Sequence, residues 1–257
     1  MHHLPIARAG GVQGMTPPVR GLTDEYAAGF THPVHTHDRI QVLYACSGVM
    51  SVVTPSMSFV VPPQRALWLP AGMPHEVACR GAVSLRTLYI DPACYAQAPE
   101  CRVIEVGDFL RALILKVVSF GDDYAMAGQA ARIVEVLLDE IAAMPTAPYG
   151  ATMPLDPRLK RVCRIILANP ADNRDVDELA RIAGMARRTF TRAFRRETGM
   201  GLATWRQQVR LMEALSLMAA GRPVTAIAFD VGYDSPSAFT AMFRRAYGVP
   251  PTLYALP

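Results

Sequence analysis

The sequence predicts an α+β protein in two parts: an N-terminal antiparallel β-barrel with flanking helices, then an all-α domain of two helix-turn-helix units joined by a long helix. Three observations carry this. The stretch Ala186 to Gly199, ARRTFTRAFRRETG, returns in altered form as Pro236 to Gly248, PSAFTAMFRRAYG. Short runs of strand-forming residues fill positions 21–91. Charge divides with the architecture, since residues 1–155 hold 10 Lys/Arg and 13 Asp/Glu, net −3, whereas residues 156–257 hold 16 and 9, net +7.

The duplication is the strongest signal. Phe190, Phe194, Arg195, Arg196 and Gly199 recur 49 residues later as Phe239, Phe243, Arg244, Arg245 and Gly248. Upstream, Leu179, Ala180 and Gly184 recur 48 residues later as Ile227, Ala228 and Gly232, so the second unit has one extra residue in its turn. A large and a small apolar residue on the first helix, a glycine free to take positive φ in the turn, and two Phe four apart on the second helix pack two short helices together. The opposite face stays free. In the first unit it carries Arg188, Thr191, Arg192, Arg195 and Arg196, a density of guanidinium suited to phosphates and to the O6/N7 edge of guanine. Basic charge gathered on the duplicated part fits DNA binding there and different work elsewhere.

In these residues the last hundred or so positions resemble the AraC/XylS-type DNA-binding domain, closing on GVPPTLY at 248–254. The resemblance implies that Arg188, Thr191 and Arg192 contact bases, with Ser237, Thr240 and Ala241 as weaker counterparts. Arg187, Arg195, Arg196, Ser235, Arg244 and Arg245 complete the expected DNA-binding set. Ala186 stands where a capping Ser or Thr is common in that family. Between the units, residues 203–219 read as a helix about 25 Å long, able to hold two recognition helices near successive major grooves.

The barrel is expected from Ile40 to Ser47, Val49 to Thr54, Phe59 to Val61, Ala66 to Leu69 and Leu85 to Ile90, punctuated by Ser-Gly, Thr-Pro-Ser and Pro-Ala-Gly turns. Residues 29–48 follow G-x5-H-x-H-x3-Q-x6-G through His35, His37, Gln41 and Gly48, and residues 70–75 follow P-x-G-x2-H to His75. Together they resemble the two cupin motifs, in which two His, a Glu and a later His converge on one metal. Gln41 departs from that pattern at the acidic ligand, and Cys79 stands at the usual Asn position. Three imidazoles and an amide oxygen suit one divalent transition metal, zinc, nickel, copper or iron, but Gln brings no charge to offset the ion. A second reading keeps the histidines as pocket groups bonded to one another, to Gln41 or to an organic effector. Tyr44, Trp68 and Tyr89 are the aromatics expected to wall the effector pocket; core filling is the alternative role for each.

Residues 1–20 read as an arm, in which His2 and His3 suggest terminal disorder before metal binding. After Pro99 the period turns helical. Val106, Phe109, Leu110, Leu113 and Val117 form one apolar stripe, and Ile133, Val134, Leu137, Leu138 and Ile141 another. These stripes either cap the barrel or make a two-fold dimer contact, which the family resemblance also implies. Residues 145–155, with three Pro and no charge before Asp156, read as the linker between a sensing and dimerisation domain at 21–144 and the DNA-binding domain at 156–257. Asp156-Pro157 caps and starts its first helix, and Asp175 with Glu178 forms a capping box for the next.

No apolar run reaches membrane-span length and the N-terminus lacks an apolar signal core, so a soluble cytoplasmic protein is expected, with no membrane partner. Five cysteines without a close pair suggest reduced thiols. The expected function is a DNA-binding transcription regulator, not an enzyme, that senses a small-molecule effector, with double-stranded DNA, RNA polymerase and a second copy of the chain as partners. Two alternatives stand beside it: a metal-responsive regulator, and a cupin metalloenzyme with an accessory DNA-binding domain, against which the missing acidic ligand counts.

Overall fold

The structure is a computed structural model that describes residues 17–95, 100–122, 124–125, 127–147 and 150–254. His2 and His3 lie outside the described residues. In chain order the first part contains β1 (Val19–Tyr26), β2 (Thr31–His35), β3 (Ile40–Ser47), β4 (Met50–Val53), β5 (Met57–Val61), β6 (Arg65–Leu69), β7 (His75–Cys79), β8 (Val83–Ile90), β9 (Arg102–Glu105), α1 (Asp108–Val118), α2 (Gln129–Ala143), β10 (Thr146–Ala147) and β11 (Gly150–Thr152). They form a six-stranded sheet ordered β1-β8-β3-β6-β9-β10 and a five-stranded sheet ordered β11-β5-β4-β7-β2. Neighbouring strands run antiparallel; β4–β5 is a direct hairpin, α1 and α2 intervene between paired β9 and β10, and the other pairs join strands distant in the chain.

Strand parity decides what faces the barrel interior. On β3, Leu43 and Ala45 join the inner core with Met50, Val52, Phe59, Val77 and Leu85, while Ile40, Val42 and Tyr44 point outward to a second core beneath α1 and α2. Leu110, Leu113, Ile114 and Val117 of α1 and Val134, Leu137 and Ile141 of α2 are buried in that outer layer. Phe109, expected in the α1 stripe, is instead 59% exposed, because Ile114 completes the buried face.

The second part is helical: α3 (Pro157–Ala168), α4 (Val176–Ile182), α5 (Arg187–Thr198), α6 (Leu202–Ala219), α7 (Val224–Asp230) and α8 (Pro236–Tyr247). Asp156 caps α3, and Asp175 with Glu178 forms the capping box of α4. The two helix-turn-helix units, α4–α5 and α7–α8, repeat in detail. Phe190 and Phe194 lie 5.7 Å apart between ring centroids, and so do Phe239 and Phe243. Gly184 and Gly232 take φ of 64° and 83°. At Gly232 a Cβ would stand 2.8 Å from the Ala171 Cα, so the turn excludes a side chain as well as favouring glycine conformationally.

Two boundaries differ from the sequence expectation. The arm ends earlier than residue 20, because Val19 and Arg20 already pair with Ile90 and Tyr89. The stretch 145–155 is not a free tether: β10 pairs with β9, β11 extends the second sheet beside β5, and Ala151 and Met153 are buried against α3 and α6. Uncharged residues that resemble a linker by composition here serve as an edge strand packed under a helix. No helix among the described residues is long and apolar enough to cross a membrane.

Candidate functional site

The barrel encloses a cavity of about 190 Å³. Its polar end is built by β2, β3, β7 and β8. Antiparallel pairing sets His35 of β2 opposite His75 of β7, and Gln41 of β3 opposite Tyr89 of β8. His37, in the turn after β2, completes a triad whose ligand atoms all lie within 4.8 Å of one another. The ring centroids of His35 and His75 are 4.3 Å apart, those of His35 and His37 4.8 Å, and those of His37 and Tyr89 5.0 Å.

Hydrogen bonds orient two of the three rings. His35 Nδ1 lies 2.8 Å from the Pro33 carbonyl and His75 Nδ1 lies 2.9 Å from that of Met73, so each donates through Nδ1–H and keeps its lone pair on Nε2. Burial holds the His75 imidazole down at about 4, with the neighbouring histidines adding to the effect. Burial and the charge of His35 bring His37 to about 4 as well, and burial lowers His35. The triad is therefore neutral at pH 7. His37 Nε2, His75 Nε2 and the Gln41 carbonyl Oε1 are buried without a hydrogen-bond partner among the described residues, while the Gln41 amide donates to the Tyr89 hydroxyl at 3.3 Å. Three converging imidazoles, two of them (His35 and His75) held through Nδ1 by carbonyls and two (His37 and His75) with Nε2 unsatisfied, make a donor set that suits a zinc, nickel, copper or iron ion. The residues thus fit the metal that the cupin-like pattern implies.

The remaining wall is apolar. Leu22, Phe30, Leu43, Met50, Val77 and Leu85 line it, with Tyr26 stacked on Phe30 at 4.4 Å. Tyr89 lies in the pocket as expected from the sequence. Tyr44 and Trp68 do not. They occupy the opposite face of the six-stranded sheet, in the core beneath the helices, where Trp68 meets Tyr95 at 5.1 Å. The cause is parity: Tyr44 is three residues from inward-facing Gln41, and Trp68 pairs with outward-facing Val42. Counting in steps of two from Gln41 would have found Leu43, and from Tyr89 would have found Thr87 and Leu85. His32, also unforeseen, places its Nδ1 2.8 Å from that of His35 and 3.1 Å from the Pro33 carbonyl.

The second functional surface is the outer face of the helix-turn-helix units. On α5, Arg187, Arg188, Thr191, Arg192, Arg195 and Arg196 are all exposed. Arg187 is tied back to Asp177 at 2.7 Å and Arg196 meets Glu197 at 3.2 Å. Arg188, Arg192 and Arg195 have no ion pair among the described residues. Thr191 returns its hydroxyl to the carbonyls of Arg187 and Arg188 at 3.1 and 3.2 Å. On α8, Ser237, Ala241, Arg244 and Arg245 are exposed and Thr240 is half-buried. The Ser235 hydroxyl accepts from the Ala238 N–H at 3.2 Å as the helix cap, whereas α5 has no side-chain cap at Ala186. The second unit therefore presents fewer long cationic side chains.

A ligand-sized barrel cavity followed by paired helix-turn-helix units with one arginine-rich face defines a DNA-binding protein with a ligand-binding domain. Residues 17–123 match the family described as the AraC-like ligand binding domain, and residues 179–255 match the helix-turn-helix domain family. The chain is 28% identical over 232 residues to the HTH-type transcriptional regulator NimR of Escherichia coli K12, covering 90% of this chain and 84% of that protein. It is 32% identical over 125 residues to the HTH-type transcriptional regulator RipA of Corynebacterium glutamicum, covering 47% of this chain and 37% of the relative. ToxT from Vibrio cholerae superposes at a TM-score of 0.39 with 12% identity, covering 93% of this chain and 98% of that one. The two domain matches, in this order in one chain, identify it as a member of the AraC family of DNA-binding transcription regulators.

Proposed function

We propose that a small molecule occupying the barrel cavity changes how the helix-turn-helix units engage promoter DNA. The observation that carries this is the short path from cavity to DNA-binding domain. Met50 and Cys79 line the cavity; the next residues along, Ser51 and Arg80, are bonded to each other, and Arg80 also pairs with Glu213 on α6. α6 connects the two units, so a ligand that shifts β4 or β7 acts on the element that spaces the recognition helices. In this reading α5 carries most base readout through Arg188 and Arg192, and α8 mainly positions the backbone. The regulator works in the cytoplasm as a homodimer that meets RNA polymerase and performs no catalysis; exposed Phe109 on α1 and Val136 on α2 supply apolar contact for the second copy.

A metal at the histidine triad is the second part of the proposal, supported by the unsatisfied ring nitrogens. His35, His37 and His75 would hold it, and the ion would supply a Lewis-acidic anchor at the polar end of the cavity. The test begins with ligands that raise the melting temperature of the full chain. Thr87→Trp, which fills the cavity, should abolish that rise and the accompanying change in transcription from a reporter. Ligands that bind Thr87→Trp as well as the wild type, or that leave transcription unchanged, would contradict effector sensing at this site.

A further inference from the structure

The cavity is built without a formal charge. None of its lining residues is Asp, Glu, Lys or Arg, and an imidazole binds a metal as an uncharged ligand. Two carboxylates stand nearby without lining it: Asp24 is on the inward face of β1, between Leu22 and Tyr26 and opposite Leu85, and Asp38 is on the exposed turn. Asp24 acts on Tyr26 and Tyr89 from β1, and Asp38 acts on His37 from the exposed turn. Gln41, at the position from which a carboxylate would offset a divalent cation, is 5% exposed and offers only an amide. A dipositive ion on this donor set has no carboxylate ligand to offset its charge and sits beside a wall of Leu, Met, Val and Phe. Uncompensated charge in such surroundings is costly, and the ligand that removes the cost is an anion.

We propose that Gln41 makes the pocket selective for an anionic effector: a small monoanion, with a carboxylate, phenolate or thiolate on an apolar body. Its charged group meets the ion held by the triad, and its body lies against Leu43, Met50, Val77 and the Tyr26–Phe30 stack. This rests on the reading of the triad as a metal centre. Substituting Gln for Glu then has a purpose: a site that carried its own counter-charge would hold metal permanently, whereas this one completes its charge balance only when the effector arrives. Metal and anion bind synergistically, and each raises the affinity of the other by the same factor.

The experiment uses the full chain, stripped with chelator and held in chloride-free buffer. Zinc affinity is measured by competition with a chromophoric chelator, alone and with azide, acetate or benzoate, and with uncharged benzamide as control. Cobalt(II) absorption reports coordination independently. In the wild type the anions should raise zinc affinity by roughly ten-fold or more and benzamide should not. Gln41→Glu should bind zinc more tightly without any anion and lose most of the anion effect. Unchanged zinc affinity with all three anions overturns the inference, as does an anion effect in Gln41→Glu equal to that of the wild type. Should Gln41→Glu fail to fold, the wild-type comparison alone decides. The metal reading fails separately: the wild type then takes up no zinc, or His35→Ala/His75→Ala retains the wild-type affinity, and the inference falls with it. Zinc held by the triad without linkage to anions sinks the inference alone.

Discussion

The indole N–H of Trp205 on α6 donates to the carbonyl of Thr152 on β11 at 2.6 Å. Gln208, one turn along, donates to the Gly150 carbonyl of the same strand. An edge strand with unpaired carbonyls is thereby closed by a helix of the other domain, and the two halves are joined through backbone acceptors.

Trp205→Phe removes the donor and leaves the Thr152 carbonyl unsatisfied in a buried interface. It should cost about 1–3 kcal/mol of stability in urea denaturation. The loss should accompany looser packing of β11, read as faster amide exchange at Ala151 and Thr152. Unchanged stability and exchange would show that α6 and β11 are held by other contacts.

Arg192 is exposed and has no ion pair among the described residues, whereas Arg196 is already engaged with Glu197 at 3.2 Å. Arg192→Ala should relax preference at one base pair, costing about 1–3 kcal/mol on the preferred sequence only. Arg196→Ala should weaken all sequences alike and reduce the salt dependence. Binding titrations on matched and single-mismatch duplexes at two salt concentrations separate the two patterns. Equal losses on every duplex for both variants would contradict this division of labour.

Arg80 and Glu213 connect the cavity wall to α6. Glu213→Gln should leave DNA affinity without ligand within about three-fold of wild type while reducing its response to a cavity ligand, since coupling needs an element that both sites bias. Fluorescence anisotropy with labelled operator DNA reads both quantities. A full response in Glu213→Gln would route the signal elsewhere.

Asp156 caps α3, accepting from the Arg158 N–H at 2.8 Å, and the Arg158 guanidinium and amide hold its carboxyl down at about 2. Its folded value lies below the unfolded 3.8, so the carboxylate's contribution is fully present above about pH 4 and disappears as pH falls through about 2. Asp156→Ala should cost about 1 kcal/mol at neutral pH, as for other helix caps. The difference between variant and wild type should shrink between pH 4 and pH 2 in acid titrations followed by circular dichroism. A pH-independent difference would assign the effect to packing.

Legibility in the sequence followed the physics of each element. The helical half could be read closely because capping, turn glycines and the four-residue Phe spacing are local, and duplication let each unit check the other. Even the extra turn residue shows as five positions between α7 and α8 against four between α4 and α5. The histidine triad was legible because its spacing copies a motif. Tyr44 and Trp68 were misplaced because β3 and β6 are buried on both faces, so hydrophobicity does not alternate and only counting from Gln41 reveals the inward side. Composition misled at 145–155, where β11 finds its partner in β5 some 90 residues away. No local signal carries that pairing. His32 was missed because its neighbour across the cluster depends on a register shift in β2.

Reciprocal linkage between cavity and DNA tests the central claim most directly. The full chain would first select its site from random duplexes. DNA affinity would then be measured with and without a ligand that binds wild type but not Thr87→Trp, and ligand affinity with and without the selected DNA. The account predicts that the two affinities change by the same factor, and that Thr87→Trp shows no ligand effect on DNA binding. Ligand that fills the cavity while DNA affinity, complex geometry and transcription all stay constant would contradict it.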